Sequence, residues 1–231
     1  MSVIRQRLTA LLPELRGSVF VVGYARSGST LVQAVLNTMS GAHVAGENFA
    51  AIEGIWRAVA SVRRLKAEQG QTLRPAHDPW HGAQNADPEA FAADLLAAFV
   101  THVLRPPPGT RWLGFKEIRY TSQGAELAAL LDFLLDSFPG ARIVMTERPR
   151  AEVLDSGLWQ AWDRAQVDAL LAETEAQFQS FRLARPGRVL RIRHEDWARL
   201  GVEAARPLLE FLDEPFRPEV LSPLLQNRLP H

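Results

Sequence analysis

The chain has 231 residues, with 26 Lys+Arg against 26 Asp+Glu, no cysteine and 47% hydrophobic residues, the balance of an ordinary globular protein. Without cysteine there are no disulfides, thiolate nucleophiles, iron–sulfur clusters or cysteine-ligated zinc sites, so any chemistry must come from oxygen, nitrogen or a bound group. A net charge of zero argues against a nucleic-acid backbone as partner, because proteins that bind one carry a basic excess, yet it leaves room for a small anion held by a few placed cations.

Residues 1–17 interleave charges with Leu and Ile and read as a short amphipathic N-terminal helix rather than a leader peptide. No apolar run approaches the roughly 18 residues that a membrane span needs, so one cytoplasmic domain over 1–231 is expected, with no membrane span. Residues 18–22 (SVFVV) have the character of a buried strand, which runs into a glycine-bearing turn at 23–28 and then a helix from Ser29 to about Met39. A second helix is expected from Glu47 to about Ala67. The stretch 71–87, rich in Pro, His, Gly and Trp, has no periodicity and is expected to be a loop on the acceptor side of the site.

Residues 88–103 are helical in pattern, 106–110 form a turn, and 112–118 read as the second strand. A helix at 125–138, a strand at 142–146 and a helix opened by Pro149 follow, then a long helix at 165–183, a last strand at 188–192 and short helices at 207–212 and 219–225. Strands alternating with helices predict an α/β fold with a central parallel sheet flanked by helices on both faces. Ligands in such folds sit at the carboxyl ends of the strands, so those ends are where chemistry is sought.

The first strand end carries Gly23-Tyr24-Ala25-Arg26-Ser27-Gly28-Ser29-Thr30, a loop between strand and helix where backbone N–H groups and the helix dipole bind phosphate. It differs from a nucleotide triphosphatase loop, G-x-x-x-x-G-K-[ST], in that Ser29 stands where the lysine should be and the cation has moved to Arg26. The third strand finishes Thr146-Glu147-Arg148 and offers no aspartate for Mg²⁺, which weakens a kinase reading further. A kinase and a non-catalytic nucleotide-binding module remain the alternatives.

The loop from Ala25 to Thr30 resembles the 5′-phosphosulfate loop of the sulfotransferases that use 3′-phosphoadenylyl sulfate (PAPS), P-[KR]-[ST]-G-[ST]-T, with Ala25 in place of Pro. The block from Ile143 to Ser156 is similar to the segment in which that family reads the donor's 3′-phosphate, with Arg148 at the strand end and Ser156 eight residues on, expected two turns into the helix opened by Pro149. The likeness extends from Val19 to about Leu212. It implies a P-loop-like sulfotransferase fold and transfer of a sulfuryl group from PAPS to an acceptor hydroxyl on a carbohydrate, lipid or small metabolite, leaving adenosine 3′,5′-bisphosphate (PAP), with no metal.

By the same resemblance Arg26, Ser27, Gly28, Ser29 and Thr30 bind the 5′-phosphate, Arg148 and Ser156 the 3′-phosphate, and Arg26 with Lys116 neutralises the leaving phosphate. A lysine inside a strand is unusual enough to need a reason. The family's catalytic His two residues after that Lys is Ile118 here, so Glu47 in Gly46-Glu47-Asn48-Phe49 is the expected base, with Glu117 in reserve. Segments 41–47 and 71–87 are expected to line the acceptor site, with Trp80 available to stack on it. His77, Asp78 and His81 lack the periodicity that would align them on a metal. His194-Glu195-Asp196-Trp197, at the end of the last strand, resembles the family's Y-E-D-L segment, with a mainly structural role implied.

Overall fold

The computed structural model describes residues 2–226; residue 1 and residues 227–231, the ends of the expected domain, lie outside it. In chain order the elements are α1 (Val3–Leu11), β1 (Gly17–Val22), α2 (Ser29–Leu36), β2 (Ala42–Ala45), α3 (Ala51–Gln69), α4 (Pro88–Ala98), β3 (Trp112–Glu117), α5 (Leu127–Ser137), β4 (Arg142–Glu147), α6 (Arg150–Leu154), α7 (Arg164–Leu183), β5 (Val189–Arg193), α8 (His194–Leu200), α9 (Arg206–Phe211) and α10 (Pro218–Gln226).

The five strands form one parallel sheet in the order β2-β3-β1-β4-β5. Parallel strands covered on both faces must be apolar throughout, and every residue of β1 is buried. One face carries a core of Phe20, Phe115, Ile143 and Met145 packed by α1, α3, α4, α5 and α7. The other packs Val19, Val21, Val144 and Ile192 against α2, α8, α9 and α10. Phe20 is the hub of the first core, its ring 4.9 Å from Phe115 and 5.0 Å from Phe138.

The register fixes what the strand ends have in common. Val22 pairs with Glu117 on one side and with Met145 on the other, and Glu147 pairs with Arg193. Gly23, Ile118, Arg148 and His194 therefore emerge on one edge of the sheet.

The expected architecture is the observed one, with five local corrections. Residues 42–45, expected to be loop, form the edge strand β2, too short and too weakly apolar (AHVA) to signal itself. Helix α2 stops at Leu36 rather than Met39. Helix α3 begins at Ala51 rather than Glu47, because Phe49 and Ala50 both adopt left-handed backbone with φ 55°. Helix α6 has only five residues, ending at Leu154, so Ser156 is not two turns into a helix but past its end, at the start of successive turns that reach Ser156 O from Trp159 N–H and Trp159 O from Trp162 N–H. Pro149 caps that helix instead of being its first residue. Strand β5 is shifted by one, and His194 opens α8.

Removing the hub of the aromatic core tests this packing. Phe20→Ala should cost about 3–5 kcal/mol, lowering the melting temperature by roughly 6–20 °C for a domain of this size; a drop of less than about 3 °C in a calorimetric melt would mean that the sheet does not depend on this contact.

Candidate functional site

The loop after β1 is shaped by two left-handed residues, Arg26 at φ 72° and Gly28 at φ 89°. Glycine meets the second requirement at no steric cost, whereas Arg26 holds a conformation that costs a side-chain-bearing residue energy. Gly23 is required for a different reason: a Cβ there would lie 2.2 Å from Thr146 Oγ1 and 2.5 Å from Ser27 Oγ. Helix α2 then starts with Gly28 as its N-cap and no side chain capping it. The N–H groups of its first turn, at Ser29 and Thr30, are left open at the positive end of the helix dipole, an arrangement suited to an anion. The Arg26 guanidinium is half-buried and, among the described residues, engages no carboxylate or other hydrogen-bond partner.

Ser27 does not join that array. Its hydroxyl is 2.7 Å from Thr146 Oγ1 in a buried pair, and its N–H donates to the Tyr24 carbonyl at 3.1 Å. Hydroxyl and N–H both brace the loop from beneath.

Arg148 emerges beside the loop at the end of β4, with Nε donating to Glu152 at 2.9 Å and its two terminal amino groups unengaged among the described residues. Ser156 Oγ donates to the Val153 carbonyl at 2.6 Å, so its hydroxyl must rotate to serve a phosphate. His194 lies within reach of both charges. A Cβ on Gly28 would come within 2.5 Å of its Nδ1, and that nitrogen is buried without a partner. Burial and then the charge of Arg148 hold its pKa below the ordinary value, with Arg26 acting in the same sense, so the ring is neutral near pH 7. Sequence reasoning gave His194 a mainly structural role; the signal it underused was a lone imidazole at a strand end next to the loop. A cleft of about 840 Å³ adjoins Arg148 on the side of α6 and α7, bordered by Arg150, Arg191 and Arg193.

The second group of charges lies at the end of β3. Lys116 is only 6% exposed, and its ammonium is ion-paired with Glu47. Arg119 Nη1 binds the other Glu47 oxygen at 2.6 Å and lies over the exposed Phe49 ring at 4.3 Å. Burial would raise the Glu47 pKa, but the hydrogen bonds from Lys116 and Arg119 outweigh it and hold the carboxyl below its usual range.

Glu117, the reserve base, is fully buried and already saturated. One oxygen accepts from the N–H groups of Ile118 and Arg119 and from the Arg119 guanidinium, and the other accepts from the N–H groups of Asn48 and Ala50 at 3.2 and 2.8 Å. A carboxylate with every lone pair committed cannot take an acceptor's proton. What it does is fold the 48–50 turn, and through it place Glu47 above Lys116.

The structure does not bring the 71–87 segment to these groups. Helix α3 begins near Glu47 and its 19 residues span about 28 Å; the segment is anchored at its far end, where Lys66 Nζ donates to the Gln84 carbonyl and Arg74 to Gln69. There His81 Nδ1 is 2.8 Å from the Arg74 carbonyl, and Asp78 pairs with Arg74. Of the 41–47 segment, only Gly46 and Glu47 follow β2.

A family model described as the sulfotransferase family matches residues 18–218. No curated protein sequence matches significantly. Among solved structures, the sulfotransferase domain of the Synechococcus PCC 7002 olefin synthase superposes with a TM-score of 0.55 at 19% identity, over 90% of this chain and 76% of that one. The sulfotransferase domain from the curacin biosynthetic pathway gives 0.55 at 20% identity, over 90% and 78%. Those identities carry the fold alone, while the family model spans the loop, the three strand ends and their cations together, and by it the chain belongs to the sulfotransferase family.

Proposed function

We propose that the chain transfers a sulfuryl group from PAPS to the hydroxyl of a small-molecule acceptor. The observation that carries this reading is the uncapped N-terminus of α2, preceded in the loop by Arg26, which has no partner among the described residues, and flanked at the next strand end by Arg148. Two separate cationic sites on one sheet edge suit a nucleotide with phosphates at both ends of its ribose. The orphaned Nδ1 of His194, within reach of both, is a buried polar atom of the kind that a bound nucleotide would satisfy.

When bound, the donor supplies a sulfuryl group, whose bond to the 5′-phosphate oxygen breaks as the acceptor oxygen bonds to sulfur. The N–H groups of Gly28, Ser29 and Thr30 hold the 5′-phosphate. Arg26 and Lys116 offset the charge that develops on that phosphate, the work that Mg²⁺ does in kinases. Ser27 keeps the loop in shape. Arg148, assisted by Ser156, recognises the 3′-phosphate through the guanidinium fork.

Glu47 takes the proton of the attacking hydroxyl. Its ion pair is the control on that step: while Lys116 and Arg119 both hold it, the carboxylate is too weak a base to act well. As Lys116 turns toward the donor's oxygens, Glu47 loses its first stabilising partner and its basicity rises.

Competition binding tests the donor. The protein should prefer adenosine 3′,5′-bisphosphate to ATP·Mg²⁺, also with EDTA present, and Arg148→Ala should reduce bisphosphate affinity about tenfold or more, the loss of a charge-assisted contact. Equal or tighter binding of ATP·Mg²⁺ overturns the reading. Glu47→Gln should lower labelled-sulfate transfer about 10²–10⁴-fold while changing bisphosphate affinity by no more than about threefold; undiminished transfer would remove Glu47 as the base.

Glu47 also predicts a pH signature of stability. A carboxyl whose folded pKa is depressed stabilises the fold above its unfolded pKa of about 4.3, and that contribution disappears as pH falls through the folded value. The melting-temperature gap between wild type and Glu47→Gln should therefore be constant above about pH 6 and close below about pH 4. A gap that widens in acid contradicts the ion pair.

A further inference from the structure

Tyr24, the residue before Ala25 in the loop, is fully buried, with its ring in a small core of Val153, Leu154, Val167 and Leu171. Its phenol oxygen accepts the Arg148 N–H at 2.9 Å, and it lies 2.9 Å from both the Arg148 carbonyl and Glu175 Oε1. A phenol has one proton to give, and the carboxylate makes the stronger acceptor. Glu175, on α7, is in turn paired with Arg150 of α6 at 3.0 Å, and Arg150 reaches Asp168 at 2.9 Å. Loop, β4 end, α6 and α7 thus meet at one hydroxyl.

That meeting has a geometric consequence. The loop that presents Arg26 and the open N–H groups is tied to the backbone of Arg148, whose side chain forms the other cationic site. The Ser27–Thr146 pair makes a second tie from loop to β4 two residues earlier. Burial, with the nearby Glu175 carboxylate, keeps the phenol protonated across the working pH range, so the tie does not titrate.

We infer that Tyr24 is a positioning residue for donor specificity: its hydroxyl sets the spacing between the 5′-phosphate loop and Arg148, and so sets the preference for nucleotides that carry a 3′-phosphate. This rests on the donor reading above. Without the hydroxyl, the part-buried Arg148 N–H loses its partner, and the strand end relaxes away from the loop to find another. The loop itself, braced through Ser27, keeps its hold on a 5′-phosphate.

The test compares two nucleotides in wild type and Tyr24→Phe, which preserves the ring packing. Calorimetric affinities for adenosine 3′,5′-bisphosphate and adenosine 5′-phosphate should show the bisphosphate preference falling about fivefold, the worth of one hydrogen bond, with monophosphate affinity altered less than about twofold. In an Arg148→Ala background, Tyr24→Phe should leave that preference unchanged. A merely structural tyrosine would weaken both nucleotides alike, which overturns the proposal, as does an unchanged ratio. Glu175→Gln, which keeps the tyrosine, should shift the ratio the same way by less; no shift in either variant counts against the brace. Hydrogen exchange of the ligand-free protein separates this failure from that of the donor reading. If wild type shows no bisphosphate preference, the donor assignment falls, while the brace stands only if the Arg148 amide loses protection in Tyr24→Phe, and it falls if that protection is unchanged.

Discussion

The site depends on a helix that begins without a cap. Ordinary helices satisfy their first N–H groups with a Ser, Thr, Asp or Asn at the N-cap; α1, α4 and α7 here do so with Ser2, Asp87 and Asp163. Helix α2 has Gly28 in left-handed conformation at that position, and it leaves its first turn open. The neighbouring Arg26 bears a second left-handed backbone, and Gly23 leaves room beneath for the Ser27–Thr146 pair. Strain and unsatisfied donors are tolerated together because β1 and α2 carry the two ends of the loop while Thr146 and Arg148 brace its middle through Ser27 and Tyr24.

The cations around that opening differ in how far they are neutralised. Arg26 meets no carboxylate among the described residues, whereas Lys116 is paired with Glu47 and Arg148 with Glu152. An uncompensated charge buried in a strand is strongly destabilising, so the Glu47 pair makes Lys116 tenable at 6% exposure. Glu117 extends the arrangement inward, a carboxylate used wholly as scaffold, its oxygens consumed in folding the turn that holds Glu47 in reach. The zero net charge of the chain conceals this division, because local anion sites need only that a few cations be placed where no acid neutralises them.

The parts legible in the sequence were those with a strong local cause. Buried parallel strands must be apolar, so β1, β3 and β4 announced themselves, and the glycine-bearing loop between β1 and α2 marked the site. What was missed depended on distant partners. The AHVA edge strand exists because β3 is there to pair with it. Nothing local says that Glu117 will be saturated by the 48–50 turn, that Phe49 and Ala50 will delay α3, or that α6 will end before Ser156. His194 and Tyr24 carry ordinary sequence signals, and their importance appears only when the fold sets one against Gly28 and the other against Arg148.

A structure of the adenosine 3′,5′-bisphosphate complex tests the central claim most directly. The account predicts the 5′-phosphate on the N–H groups of Ser29 and Thr30 beside Arg26, the 3′-phosphate against the Arg148 guanidinium, and Lys116 turned away from Glu47. A nucleotide seated elsewhere, with the first turn of α2 still open and the Lys116–Glu47 pair intact, would contradict it.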